Sequence, residues 1–285
     1  MYISPMLLQS TDRPFNDPAF IFEPKIDGHR LILSHKNNET RMWTRNQNEC
    51  TRQYPELHQI PIDGDVVLDG EVCSINPETG QIDFELVMER FQLKKKDKIA
   101  SHSLQNPVHY LIWDILFHNG RDLRSLPLMK RRSILEIVLD QNERFSLVPQ
   151  IEGNGVALYH SIVERSMEGI VAKRKDSLYV SRRSSDWLKL VNYQYADVYI
   201  GGYRKDEFGW LAYVEEEGKK RLAGIIELGV GPKYKKAFIE VSKQLEIEED
   251  KKFVYLEPRL KAKVKYRNWT RHGMLRSPSF VEFII

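Results

Sequence analysis

The 285 residues carry a net charge of +3, with 41% apolar and 29% charged residues. That balance belongs to a folded chain with room for one large domain or two modest ones, and it excludes disorder. The apolar runs are too short to span a bilayer, the amino-terminal ten residues lack a secretion signal, and two cysteines, Cys50 and Cys73, exclude a disulfide framework or a four-cysteine zinc site, so the reading is a cytoplasmic protein with no membrane partner.

In chain order, residues 20–33 read as strand, turn and strand. Residues 66–75 are β-branched with period two, hence a strand. Residues 84–92 have helical spacing. Residues 110–117 are apolar apart from Asp114, as a buried strand would be. The lysine-rich stretch 94–98 reads as a loop. Ser125 and Pro127 open a helix that runs to Leu139, with the proline in its first turn. Residues 156–163 suggest another helix, and 169–174 and 187–191 short strands.

After residue 193 the character changes. Residues 196–203, 210–216, 222–228, 253–260 and 262–269 read as five short strands. One amphipathic helix over 233–245 interrupts them, with Tyr234, Ala237, Phe238, Val241 and Leu245 on one face. Five strands with a helix after the third is the pattern of an OB-type barrel. The boundary falls between domains 1–193 and 194–285. Basic residues outnumber acidic ones in the second part only, by a margin that ordinary solvated surface accounts for.

The sharpest chemical feature is Glu23-Pro24-Lys25-Ile26-Asp27-Gly28-His29-Arg30. By strand parity Glu23, Lys25 and Asp27 point to one side. Pro24 places the segment at a strand end or edge, and Gly28 permits the turn. A lysine beside acids is more often a surface ion pair. As a nucleophile it needs activation, because a free lysine, with a pKa near 10.4, is deprotonated in only about one molecule in two thousand at pH 7. Desolvation or a neighbouring cation, such as Arg30, a second lysine or a metal ion, would supply it.

Here the sequence resembles the covalent nucleotidyltransferases: ATP-dependent DNA ligases, RNA ligases and mRNA capping enzymes. Six ordered motifs carry the resemblance. They are Lys25-Ile26-Asp27-Gly28, Thr44-Arg45-Asn46, Leu68-Asp69-Gly70-Glu71-Val72, the strand Tyr110-Leu111-Ile112-Trp113-Asp114-Ile115-Leu116, Glu168-Gly169-Ile170-Val171-Ala172-Lys173, and Trp187-Leu188-Lys189-Leu190. Asp83-Phe84-Glu85, Leu126-Pro127-Leu128 with Arg131 and Arg132, and Gly273-Met274-Leu275-Arg276-Ser277-Pro278 look most similar to compact bacterial and phage DNA ligases, including the ligase module of bacterial end-joining enzymes. The resemblance implies an α+β fold: a nucleotidyltransferase domain of ATP-grasp-like antiparallel sheets with helices, then an OB-fold domain.

It also implies a reaction, the sealing of nicked duplex DNA through a covalent lysine–AMP. Lys25 is the implied nucleophile. Glu23 would contact the adenine or its surroundings, Arg30 and Arg45 ribose or phosphates, and Glu71 the ribose. Asp69 is a weaker candidate on the same face. Trp113 would stack on adenine, where the family usually has phenylalanine. Arg183 and Lys189 would neutralise the α-phosphate, and Arg276 would close over ATP and orient pyrophosphate. Glu168, assisted by Asp27, would hold Mg²⁺, with Mn²⁺ an open alternative. The family's second lysine in the fifth motif is replaced by Val191, and Lys173 or Lys175 could substitute. ATP is preferred over NAD, because only 24 residues precede Lys25 and two cysteines cannot build the zinc site of the NAD ligases. The expected partner is nicked DNA, bound by a monomer, with any recruiting protein unknown. Lysines 94–96 and 98, and the group Arg267, Arg271 and Arg276 with Tyr266 and Trp269, are candidate DNA contacts. An RNA ligase or capping enzyme is the alternative, and a non-catalytic OB-type nucleic-acid binder a further one.

Overall fold

The structure is a computed structural model that describes residues 1–284. The chain divides into two compact units, Met1–Val191 and Asn192–Ile285. Strands and helices are numbered along the chain.

The first unit holds two sheets. One contains β1 (Leu7–Ser10), β2 (Asn16–Pro24), β9 (Ile151–Asn154), β10 (Gly169–Arg174) and β11 (Arg183–Val191), in the order β1-β11-β10-β2-β9. The other contains β3 (His29–Lys36), β4 (Glu39–Thr44), β5 (Val66–Ser74), β6 (Val108–His118), β7 (Arg121–Asp122) and β8 (Phe145–Leu147), in the order β4-β3-β5-β6-β7 with β8 along β6. Alternation of side chains decides what lies between them. Leu31, Leu33, Leu68, Val72, Tyr110 and Ile112 turn to one face of the second sheet, where helices α1 (Phe84–Gln92) and α3 (Leu128–Val138) add Val87 and Leu135. Ile32, Val67 and Leu116 turn to the other face and meet Ile21 and Trp187 of the first sheet. The far side of that first sheet, with Phe20, Phe22, Ile170, Ala172 and Leu190, is covered by Leu158 and Ile162 of α4 (Gly155–Glu164). The sheets thus pack face to face, and the polar residues of both inner faces share one cleft.

Local chemistry explains the ends. The Asp83 carboxylate accepts from the Glu85 and Leu86 amides and starts α1. The Asn154 side chain does the same for α4 through Ala157. Pro127 is the cap of α3 rather than part of its first turn. β6 alternates in burial before its fully buried centre, so it is half-solvated near Trp113 rather than buried throughout. The lysine-rich stretch is a loop only at Lys94 and Lys95: Lys96–Gln105 is a helix, α2, with Ile99 its one buried side chain. A single apolar anchor leaves almost no periodic signal.

The second unit contains β12 (Gln194–Arg204), β13 (Trp210–Glu216), β14 (Lys219–Ile226), α5 (Pro232–Ser242), β15 (Glu246–Glu249), β16 (Phe253–Tyr266) and β17 (Ser279–Ile284). Its sheet runs β14-β13-β12-β16-β15, with β17 on β16, an OB-like curl over Trp210, Phe238 and Phe280. The two strands expected over 253–269 are one continuous strand. Its register against β12 jumps from Leu260 to Tyr255, so residues 257–259 bulge out, and the bulge accommodates Pro258. Among the described residues no helix is long and apolar enough to cross a membrane.

Candidate active site

Lys25 follows directly on β2, and Glu168 directly precedes β10. These strands are antiparallel neighbours, with Pro24 opposite Ile170, so the two residues are brought together across the sheet end. The Lys25 amide donates to the Gly169 carbonyl at 2.8 Å. Its Nζ lies 2.7 Å from Glu168 Oε2, with Glu168 almost fully buried. Two glycines beside the pair let the backbone pack closely on neighbouring strands. At Gly28 a Cβ would lie 2.0 Å from the Val72 carbonyl oxygen, and at Gly169, where φ is +149°, it would lie 2.1 Å from that of Leu190.

Glu71 stands on β5 opposite Arg30 of β3. Burial pushes its carboxyl up to about 8, with Glu168 and Asp27 adding to the rise and Lys25 and Arg30 opposing it. Those five residues therefore act on one another inside the cleft. Arg30 is committed in part: Nε and Nη2 grip Asp69 at 2.8 and 2.5 Å, and Nη1 donates to the Met6 carbonyl at 2.6 Å. Of its five N–H donors, about two stay available to a phosphate or ribose. Asp69 is fully buried and also accepts from the Tyr179 hydroxyl at 2.7 Å, so it serves as the counter-ion of Arg30.

Glu23 is not a surface acid. It is buried, with Oε1 2.9 Å from Arg132 Nη1 and Oε2 2.6 Å from Lys173 Nζ. Its carboxylate holds the surroundings of the cleft rather than an open edge. Lys173 is buried too, 5.0 Å from the Trp113 ring centroid and 4.5 Å from that of Trp187, and burial lowers its pKa against the pull of Glu23. Trp113 meets Arg30 at 5.3 Å and packs against Ile26, Cys73 and Val148.

Lys189 of β11 sits opposite Val171, which sits opposite Glu23, so all three lie in one row and on one face. Val191 is buried on that same face. Lys175 cannot replace the missing lysine, because its Nζ pairs with Glu152 at 2.6 Å on the surface; Lys173 has the right face but is tied to Glu23. Arg183 is exposed at the start of β11 and donates to the Leu8 carbonyl, outside the Lys25 cluster. Arg45 is exposed in the turn after β4. Arg276 belongs to the second unit, where its amide bonds the Asn268 carbonyl at 3.0 Å. Asp27 lies in the turn after Lys25.

Residue-by-residue reading leaves Arg132 without a role, and it expects Lys173 to substitute for the missing lysine rather than to pair with Glu23. Both cations stand inside recognisable motifs, but only the pairing of β10 with β2 brings Lys173 to Glu23, and only the packing of α3 brings Arg132.

The family model described as ATP dependent DNA ligase domain matches residues 5–190, the whole of the first unit but for its ends. The chain belongs to the ATP-dependent DNA ligases. It is 37% identical over 281 residues to the SPbeta prophage-derived DNA ligase-like protein LigB of Bacillus subtilis (strain 168), covering 98% of each. It is 32% identical over 273 residues to a probable DNA ligase of Dictyoglomus thermophilum, covering 86% of this chain but 46% of that protein. The ligase domain of M. tuberculosis LigD matches in structure with a TM-score of 0.58 at 26% identity, over 99% of this chain and 94% of that one. Ligases of this family join DNA by way of a covalent lysine–AMP.

Proposed function

We propose that this ligase seals nicks with a 5′-phosphate and a 3′-hydroxyl in duplex DNA, and that Lys25 is the residue that carries AMP. The observation that carries the reading is the placement of Lys25 Nζ against Glu168, anchored by the Lys25 amide on Gly169. Neutral Lys25 attacks the α-phosphorus of ATP; the N–P bond forms as the bond to pyrophosphate breaks. Glu168 is the nearest acceptor for the proton that Lys25 must shed. AMP then passes to the 5′-phosphate at the nick, which frees Lys25. The 3′-hydroxyl attacks that phosphate, closes the phosphodiester and expels AMP.

Each step is an in-line displacement at phosphorus, so positioning and charge neutralisation do most of the work. Lys189, on the inner face, neutralises the α-phosphate, and Arg30 offers its remaining donors to ribose or phosphate. Arg45 and Arg183, both exposed, are assigned to phosphates at the rim. Glu71, held largely protonated near neutral pH by burial, can donate to a ribose hydroxyl. Trp113 provides the stacking surface for adenine. Arg276 orients pyrophosphate in the first step.

The donor set fits Mg²⁺. Glu168 and Asp27, both acting on the neighbouring Glu71, stand where a polyanion must sit, and a hard cation takes carboxylate and phosphate oxygens. Among the described residues no group of three ligating side chains exists, so the rest of the ion's shell would have to come from substrate phosphates and water. Glu168 and Asp27 would hold the ion, which supplies charge neutralisation at the reacting phosphate. The likeness to end-joining DNA repair proteins supports a role in DNA repair, and the enzyme is proposed to act as a monomer.

The test is sealing of a nicked duplex with ATP and Mg²⁺, beside the same nick in RNA. Closure of the DNA nick supports the reading. Closure of RNA alone, or labelling by GTP in place of ATP, refutes it.

A further inference from the structure

We propose that Gln150 reads the 6-amino group of the nucleotide's purine and so sets the preference for adenine. The inference rests on the reading of the inter-sheet cleft as the ATP site, with the base against Trp113.

Residues 148–150 cross from one sheet to the other at the end of that cleft. The Val148 amide donates to the Ile112 carbonyl on β6 at 2.9 Å, next to Trp113. The Val148 carbonyl accepts from Arg132 Nη2, while Nη1 of the same guanidinium holds Glu23. One residue past Gln150, Ile151 pairs with Phe22 of β2, whose ring lies on the α4 side. Parity therefore turns Gln150 the other way, to the face that Glu23 shares with Lys189.

The carboxamide of Gln150 makes no hydrogen bond among the described residues, and its Oε1 is buried. Trp113 Nε1 is likewise buried without a partner. Buried polar atoms are nearly always satisfied, so an orphaned carboxamide oxygen turned to the cleft face, two residues past the Val148 that packs against Trp113, points to a polar ligand edge there. Glu23 is already engaged by a cation on each oxygen, whereas Gln150 Oε1 has no partner. A carboxamide offers one acceptor and a donor side by side. Adenine presents its amine beside a ring-nitrogen acceptor, a pattern that glutamine matches with two bonds. A purine without the 6-amino group leaves Oε1 without that partner.

The test follows transfer of the nucleotide to the protein by intact mass, with ATP and with purine riboside 5′-triphosphate, which lacks only the 6-amino group. A neutral hydrogen bond of ordinary strength predicts that subsaturating ATP reacts about three- to tenfold faster in the wild type. In Gln150→Leu and Gln150→Ala that ratio falls close to one. A wild-type ratio near one, or variants that keep the wild-type ratio, overturns the assignment. A structural role for Gln150 would slow both nucleotides alike and so leave the ratio unchanged. A wild-type protein that takes the nucleotide from neither compound refutes the reading of the cleft itself, and the inference with it.

Discussion

Replacing Lys173 by methionine removes one charge from the middle of the first unit and keeps most of the side-chain volume. Lys173 and Glu23 are each about 2% exposed, with 2.6 Å between Nζ and Oε2. The second cation, Arg132, stays 2.9 Å from the other oxygen. Breaking one side of a buried pair costs about 3–5 kcal/mol, and the remaining arginine puts the expected loss near the bottom of that range, about 3 kcal/mol. For a unit of this size that is a fall in Tm of about 6–12 °C. Glu23→Gln should cost less in the Lys173→Met background than in the wild type, because the group it would abandon is already gone. Unfolding of the four proteins, followed by tryptophan fluorescence, closes this cycle, with Trp187 4.5 Å and Trp113 5.0 Å from the Lys173 ammonium as reporters. Burial lowers the Lys173 pKa, so the unfolded chain holds its proton to higher pH than the folded one. Wild-type stability relative to Lys173→Met therefore rises as pH climbs towards the ordinary lysine value. A loss below about 1 kcal/mol, or a cycle with no coupling, would refute the picture of a closed ion triad under the site.

Three further outcomes follow from the geometry. Gly28→Ala drives a methyl group to 2.0 Å from the Val72 carbonyl, so denaturation should report a loss of about 2 kcal/mol or more and lysine adenylylation should slow; an alanine variant as stable as the wild type would contradict the close approach. Glu71 is held protonated up to about pH 8, against 4.5 for the free group, so its favourable contribution is complete below pH 4.5 and lost as pH rises through about 8. Glu71→Gln cannot ionise, and its Tm should gain on the wild type between pH 5 and pH 9; a constant difference would show that the carboxyl ionises normally. Arg276→Ala should slow the first transfer to Lys25 but leave sealing of a nick that already carries 5′-AMP near the wild-type rate, which a gel assay on that substrate reads directly.

Features legible in the sequence are those whose cause is local. The strand, turn and strand around Lys25 follow from apolar residues before Pro24 and after Gly28, and α1 is marked by an Asp83 cap before a periodic run. The OB-like unit announces itself through its order of elements. What stayed hidden depends on pairing at long range. Glu23 looks like a solvated acid until β10 lies beside β2 and α3 lays Arg132 over it. The fate of Arg30 likewise depends on Asp69, 39 residues away. Weak elements hid for a different reason: α2 buries one residue, and β15 buries none. Gln150 carries no motif at all, and only its buried, unpartnered oxygen marks it.

The central claim is that Lys25 takes AMP from ATP. Purified protein incubated with Mg²⁺ and ATP labelled at the α-phosphate should gain one AMP per chain, in an acid-labile bond that peptide mapping assigns to Lys25. Addition of nicked duplex DNA should discharge the label and close the nick, and Lys25→Ala should take up none. An adduct of undiminished yield on Lys25→Ala, or a labelled wild type that never releases its AMP to a nick, would contradict the account.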